Sequence, residues 1–304
     1  MGIHHIPVLT EEVVTLLRCG SHQLYVDATL GEGGHALEIL KRTGPDGILI
    51  GIEWDEDAIA IAQGVLKPFG DRVKIFRENF IRLPEILKRL EVKEVDGILL
   101  DLGLSSLQLE RKERGFSLRG DGPLDMRMDQ RLICTAADLV NRLPRKILEN
   151  ILVDYGEERM ARRIVEAILE ERQCGPIETT QALRKIVWRA IPRRHHSRRI
   201  DPATRTFQAL RIHINNELEN LRGMLEEGWR VLRSGGRICV ISFHSLEDRR
   251  VKTTFRHLAA HGDTSGGERP AIRVVTRKVI TPSPEERATN PRSRSAKLRC
   301  AERV

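Results

Sequence analysis

The sequence lacks the residue groupings that mark several large functional classes. Its five cysteines, Cys19, Cys134, Cys174, Cys239 and Cys300, lie far apart with no C-x-x-C pair. Neither a zinc site nor a disulfide framework is therefore expected, and a reducing cytoplasm is the expected setting. The paired histidines His4/His5 and His195/His196 have no partners at ligand spacing, so no metal is expected. There is no G-x-x-x-x-G-K-[ST] loop, which removes the commonest kinase and NTPase route. No G-x-S-x-G elbow precedes a helix, which argues against a serine nucleophile. The H-x-E and P-C-x-x-C pattern of zinc deaminases is missing. No apolar run approaches bilayer length. Residues 1–6 carry neither a secretory apolar region nor the Ser or Thr of a myristoylation signal, so no membrane partner is expected.

What is present is length and positive charge. The 304 residues suggest two domains. Their 51 Lys and Arg against 43 Asp and Glu give a net charge of +8. That balance suits a polyanion such as RNA and equally an ordinary basic enzyme.

The most informative stretch is Leu24-Tyr-Val-Asp-Ala-Thr-Leu-Gly-Glu-Gly-Gly-His35, a short β-type run that breaks into a glycine-rich turn and enters a helical pattern. Gly31, Gly33 and Gly34 remove the Cβ atoms that would hold a ligand off the backbone, and the turn feeds the first amides of a helix. Glu53 follows at the distance of a ribose-binding acid. The G-x-G-G spacing fits a dinucleotide fingerprint poorly, leaving another adenosine-bearing cofactor or a purely structural turn.

Residues 1–105 alternate apolar runs with helical patterns, as a parallel sheet covered by helices requires. Strands are predicted at 24–29, 47–53, 73–77 and 95–101, and helices at 35–41, 56–67 and 83–90. Ligands sit at the carboxyl ends of such strands, so Asp27, Glu53, Phe80 and Asp101 should gather at one rim. From 109 to 205 the texture changes to charged amphipathic helices, for example 157–171 and 179–191, read as an inserted domain. Its exit, 193–205, is rich in arginine and too polar for a core: it is either a phosphate-backbone contact or a solvated loop. Apolar residues from Phe207 to Trp229 recur at spacings of three and four, predicting one long helix ended by Ser-Gly-Gly. Strands are then expected at 237–243, about 271–279 and 295–303, with surface loops at 262–270 and 281–292. His244 follows the 237–243 strand and reads as a substrate contact or a local hydrogen-bond anchor. The segments 114–118 and 121–129 have neither helix nor strand period; a structural loop is the default, and a lid over the rim is the alternative.

Many of these blocks together resemble one family. Val26-Asp-Ala-Thr-Leu-Gly-Glu-Gly-Gly-His35, Asp101-Leu-Gly-Leu-Ser-Ser-Leu-Gln108, Leu124-Asp-Met-Arg-Met-Asp129, Pro202-Ala-Thr-Arg-Thr-Phe-Gln-Ala-Leu-Arg211, Ser242-Phe-His-Ser-Leu-Glu-Asp-Arg249 and Asn290-Pro-Arg-Ser-Arg-Ser-Ala-Lys-Leu-Arg299 are similar to the ribosomal small-subunit methyltransferase H family. The resemblance implies a Rossmann-like class I methyltransferase sheet, discontinuous at 1–108 and 206–304, with an all-helical substrate-recognition domain inserted at 109–205. It implies S-adenosylmethionine as cofactor and methylation of the exocyclic N4 amine of a cytidine in the decoding region of 16S ribosomal RNA, in the small subunit. Second copies are a further expected partner. Carried over, the cofactor contacts are Gly33, Gly34, His35, Glu53, Phe80, Asp101 and Gln108. Glu53 stands where the family usually has Asp, and Leu107 where it usually has Pro.

Topology makes Asp101 the expected acceptor for the target amine or, alternatively, a cofactor contact only. Arg193, Arg194, Arg198, Arg199 and His244 are the expected substrate contacts. The competing readings are a methyltransferase of the same fold acting on DNA, protein or a small molecule, an RNA-binding assembly factor with a vestigial pocket, and a nicotinamide-dependent oxidoreductase.

Overall fold

The structure, a computed structural model, describes residues 6–197, 200–261 and 270–304. The chain divides into two compact units: 1–103 with 218–304, and 104–217. The divisions fall at 103/104 and 217/218, where the sequence texture had suggested 108/109 and 205/206. Composition changes gradually along a chain, whereas a boundary is set by which residues pack together.

In the first unit, seven strands form one sheet: β1 (Leu24–Asp27), β2 (Ile48–Glu53), β3 (Val73–Arg77), β4 (Val95–Asp101), β5 (Leu232–Ser242), β6 (Ile272–Val274) and β7 (Lys297–Arg303). Their order is β3-β2-β1-β4-β5-β7-β6, and only β7 runs antiparallel to its neighbours β5 and β6. This is the Rossmann-like, discontinuous sheet that the resemblance implies. Successive strand residues alternate between two cores, as a sheet covered on both faces requires. Val26, Ile50, Ile98 and Val240 join residues of α4 (Leu83–Arg89), α11 (Glu217–Glu227) and α12 (Ser245–His261). Tyr25, Leu49, Leu99 and Cys239 join those of α1 (Thr10–Leu17), α2 (Gly34–Arg42) and α3 (Glu56–Leu66). The strand order reverses direction between β1 and β4, so the crevice expected of such sheets opens beyond Asp27 and Asp101.

The second unit contains α5 (Ser106–Glu110), α6 (Ala136–Arg142), α7 (Arg145–Asp154), α8 (Ala161–Cys174), α9 (Thr180–Ala190) and α10 (Thr204–Ile214). Among its described residues the only ladder-type pairing is the isolated bridge Pro123–Thr179. The aperiodic segment 114–129 is a tightly bonded platform of this unit. Arg114 is buried and donates to the carbonyls of Arg127 and Met128, each at 3.0 Å. Gly115 has φ +74°, and a Cβ there would stand 2.4 Å from the Pro123 carbonyl oxygen, so no other residue fits. Met126, in the left-handed region at φ 64°, is held from the side by Asn215. The Asn215 Oδ1 accepts from Met128 N at 2.7 Å, and its Nδ2 donates to the Met126 and Arg211 carbonyls at 2.8 and 2.9 Å.

Asn215 also explains one departure from the sequence reading. The long helix expected from Phe207 to Trp229 is two helices, α10 and α11, broken at Asn215 and Asn216, the latter at φ 51°. The apolar spacing continues across the break, so periodicity alone does not reveal it. Ser234-Gly235-Gly236 ends no helix: it lies inside β5, where Gly235 takes φ +78° and the register with β4 shifts. The sixth strand is only three residues long, and the proline-rich 281–292 stretch contains α13 (Pro284–Thr289), opened by the Ser283 cap on Glu286 N. Of the expected 262–270 loop, residues 262–269 lie outside the described residues.

Replacing Asn215 with Ala leaves the buried Met128 amide and Met126 carbonyl without that partner. We expect a loss of about 2–4 kcal/mol in urea unfolding, since stranded buried polar groups cost about 1–3 kcal/mol each. A loss below about 0.5 kcal/mol, the range of ordinary surface changes, would contradict this account of the platform.

Candidate active site at the carboxyl edge of the sheet

The loop after β1 is pegged to the strands on either side. Ala28 N donates to the Leu99 carbonyl at 2.9 Å and Leu30 N to the Ile52 carbonyl at 3.0 Å. Gly33, at φ +86°, then turns the chain into α2, where an added Cβ would press on Ala62 and Leu66 at 3.4 Å. No side chain caps α2, so its first-turn amides face outward as a ready anion site. The start of the helix is also braced. Pro7 lies against Gly34, where a Cβ would come within 3.3 Å of its ring. That N-terminal segment is tied down by Glu286, which accepts from Leu9 N at 2.8 Å, and by Asn290, which donates to the Ile6 carbonyl at 2.9 Å.

Three titratable groups meet where β1 and β4 end. His35, buried on the first turn of α2, brings Nε2 to 3.4 Å from Asp101 Oδ2. At that separation the two attract as charges without forming a good hydrogen bond, and neither ring nitrogen has a hydrogen-bond partner among the described residues. Burial pulls the imidazole pKa down, but the Asp101 and Asp27 carboxylates outweigh it and the net shift is upward. Asp27 is 1% exposed, and burial pushes its carboxyl up to about 6 against the opposing pull of His35. Its Oδ2 and the Oδ1 of Asp101 are buried with no hydrogen-bond partner among the described residues. Thr29 completes the corner by accepting from Asp101 N at 2.6 Å, which fixes the backbone of β4 against the loop.

Glu53 is used differently from the free acceptor the sequence suggests. Its Oε2 accepts from Gly31 N at 2.9 Å, and its Oε1 accepts from Trp54 N and Asp55 N, both at 2.9 Å. The extra methylene relative to Asp lets the carboxylate fold back and clasp the glycine loop. A carboxylate accepts about four hydrogen bonds, so with three filled by the backbone one site on Oε2 remains for a hydroxyl. Burial raises this carboxyl to about 7 in spite of the three amides. Trp54, which sequence reading passed over, lies 6.5 Å from Phe80 between ring centroids, tilted at 43°. An aromatic directly after the ribose-type acid was the available signal. Thr29 was likewise overlooked; its β-branched hydroxyl inside the Asp-Ala-Thr run was the clue.

The remaining expected residues are placed as follows. Gln108 is buried in the helical unit and closes a capping box at the start of α5, its Oε1 accepting from Ser105 N and its own N donating to Ser105 Oγ, each at 3.2 Å. His244 lies two residues beyond the end of β5. Its Nδ1 accepts from Glu247 N at 3.4 Å and its Nε2 lies 3.1 Å from Glu247 Oε1, a local anchor at the start of α12. Arg193 and Arg194 are exposed on a single 3-10 turn of the helical unit, whereas Arg198 and Arg199 lie outside the described residues. In the same exit segment Asp201 pairs with Arg184 and Trp188 at 2.8 and 2.9 Å.

The raised Asp27 carboxyl fixes a sign. Its pKa is higher folded (about 6) than unfolded (3.8), so between those values the folded state holds more protons and stability falls as pH rises. The contribution is complete below about pH 4 and lost above about pH 6. Asp27→Asn should therefore gain on the wild type by up to about 3 kcal/mol across that interval in urea unfolding of ligand-free protein. Parallel stability curves for the two proteins would show that Asp27 titrates normally.

Comparison with known proteins gives the family. Residues 2–304 match the MraW methylase family. A ribosomal RNA small subunit methyltransferase H from Citrifermentans bemidjiense is 50% identical over 99% of this chain and 99% of its own length. Its namesake from Syntrophobacter fumaroxidans is 46% identical over 99% of this chain and 97% of its own, and that from Clostridioides difficile is 44% identical over the full length of both. With a family match spanning nearly every residue and a sheet edge built from the same motifs that prompted the resemblance, the chain belongs to the MraW methylase family.

Proposed function

We propose that the protein methylates the exocyclic N4 amine of a cytidine in the decoding region of 16S ribosomal RNA, using S-adenosylmethionine. Family membership and the relatives' names support rRNA methylation; the observation that carries the cofactor is the corner formed by Asp27, His35 and Asp101 beside the uncapped start of α2. Buried carboxylate oxygens without partners are costly unless a ligand completes them. A ligand with one carboxylate, cationic centres and a neutral nucleoside matches what surrounds it. The first-turn amides of α2 suit the carboxylate, Asp27 and Asp101 the positive charge, Glu53 Oε2 a ribose hydroxyl, and Trp54 and Phe80 the base. When bound, S-adenosylmethionine supplies a methyl group on a positively charged sulfur.

The chain's task is then to present the amine. The N4 lone pair of cytosine is delocalised into its ring and is a weak nucleophile, so alignment must supply much of the rate. The Asp101 carboxylate accepts a hydrogen bond from the amine and stabilises the positive charge that develops on it. His35, 3.4 Å from that carboxylate, holds it in place by charge attraction, and the proton the amine releases passes through the Asp101 carboxylate to solvent. A base reaches such a corner only when turned out of its stack, and the helical unit, with Arg193, Arg194, Arg198 and Arg199, holds the flanking RNA.

Mass-spectrometric mapping of 16S rRNA from cells with and without the intact gene should show a single N4-methylcytidine differing between them. An unchanged map would remove the proposal. Asp101→Asn should lower turnover at saturating cofactor by about 10²–10⁴-fold, the range for a lost acid–base partner, and weaken cofactor binding far less. Equal loss of both would leave Asp101 as a cofactor contact alone.

A further inference from the structure

The methyltransferase-type unit carries a second concentration of charge, built from none of the residues Asp27, His35 and Asp101. Lys252, Arg256, Arg277 and Arg299 line a cavity of about 210 Å³ that no carboxylate among the described residues lines, with Phe255 and Val279 among its apolar walls. Lys252 and Arg256 are one helical turn apart on α12 and project from the same face. Arg277 is carried by the turn after β6, which is firmly held. Val275 N and Thr276 N donate to the Cys300 carbonyl at 2.9 and 3.2 Å, and the buried Thr276 hydroxyl accepts from Cys300 N at 2.9 Å.

Among the described residues, only Arg299 of these four cations is compensated. It lies 2.7 Å from Asp248, which Lys297 also reaches at 3.2 Å. Burial raises the Asp248 carboxyl, but these two partners outweigh it and hold it below the usual carboxylate range, so its charge is already committed. Lys252, Arg256 and Arg277 form no ion pair among the described residues, in a chain where arginines such as Arg211, Arg222 and Arg237 are matched to glutamates. Like charges around a small, partly apolar hollow repel one another, and a polyanion relieves that repulsion and is drawn to it.

We infer that this cavity is a docking point for the phosphodiester backbone of the RNA substrate, separate from the arginines of the helical unit. The inference rests on RNA being the substrate. Each cation supplies a phosphate contact that positions the strand without reading its sequence. The apolar wall lowers the local dielectric and strengthens each contact.

The test is equilibrium binding of full-length protein, saturated with S-adenosylhomocysteine, to a 16S rRNA transcript between about 50 and about 200 mM salt. Changing Lys252, Arg256 and Arg277 together to Gln should reduce the slope of log affinity against log salt by about 2–3, roughly one unit per lost phosphate contact, and weaken low-salt binding about tenfold or more. Cofactor affinity should stay unchanged, which also reports that the variant is folded. Changing the equally uncompensated surface residues Lys67, Lys74 and Lys88 to Gln removes the same net charge and should leave the slope nearly intact.

Equal effects of the two triple variants, an unchanged slope in the first, or no measurable RNA binding by the wild type would each overturn the inference. So would competition by inorganic phosphate at the cavity with no loss of RNA affinity in the variant, which would make it a small-anion site. If the variant loses its slope but wild-type enzyme transfers no methyl group to 16S rRNA, the docking surface stands and the proposed function falls.

Discussion

The site depends on two carboxylates carried to the same edge of the sheet by adjacent parallel strands. Asp27 of β1 stands in register with Leu99 of β4, so Asp101 follows two residues further along at that edge, and the Thr29 hydroxyl locks the backbone of β4 to the loop leaving β1. Withdrawing both acids from water is unfavourable, and the raised Asp27 carboxyl records that cost. His35 offsets part of it. Such a corner persists because the sheet and its two cores hold the strands firmly enough to keep strained electrostatics in place. A cationic ligand turns the same arrangement from a liability into an attraction.

Rigidity around the corner comes from long-range ties. Glu53 spends three of its acceptor positions on backbone amides of its own turn and of the glycine loop, so it acts as a clasp as much as a ligand group. Glu286 and Asn290 reach across the sequence to fix residues 6–9, which in turn brace Gly34. In the helical unit Asn215 plays a comparable part, satisfying two backbone groups of the 126–128 segment while breaking what would otherwise be a single helix. In each case one polar side chain does what an apolar contact could not: it sets the position of a particular backbone atom.

The alternation of apolar runs with helical patterns was enough to place four strands within a residue or two, because burial on both faces demands continuous apolar stretches. The glycine loop was equally legible, since Gly31 and Gly33 take left-handed backbone angles that glycine adopts without steric cost. Less visible were the helix break at Asn215 and Asn216, hidden because the apolar period runs through it, and the passage of Ser234-Gly235-Gly236 through a strand, which looked like a helix stop. The roles of Trp54 and Thr29 were missed for a different reason: an aromatic or a hydroxyl shows its function only by what it faces.

The sequence by itself therefore determined the first four strand segments, the glycine turn, the excess of positive charge and the family, all of which are written in local pattern or in long shared motifs. Only the tertiary structure decided that Asp27, His35 and Asp101 meet, that Glu53 folds back on its own loop, and that Lys252, Arg256, Arg277 and Arg299 surround one cavity. The physical reason is distance along the chain. Pattern constrains residues a few positions apart, whereas proximity between residues tens of positions apart exists only once strands are ordered and their registers set.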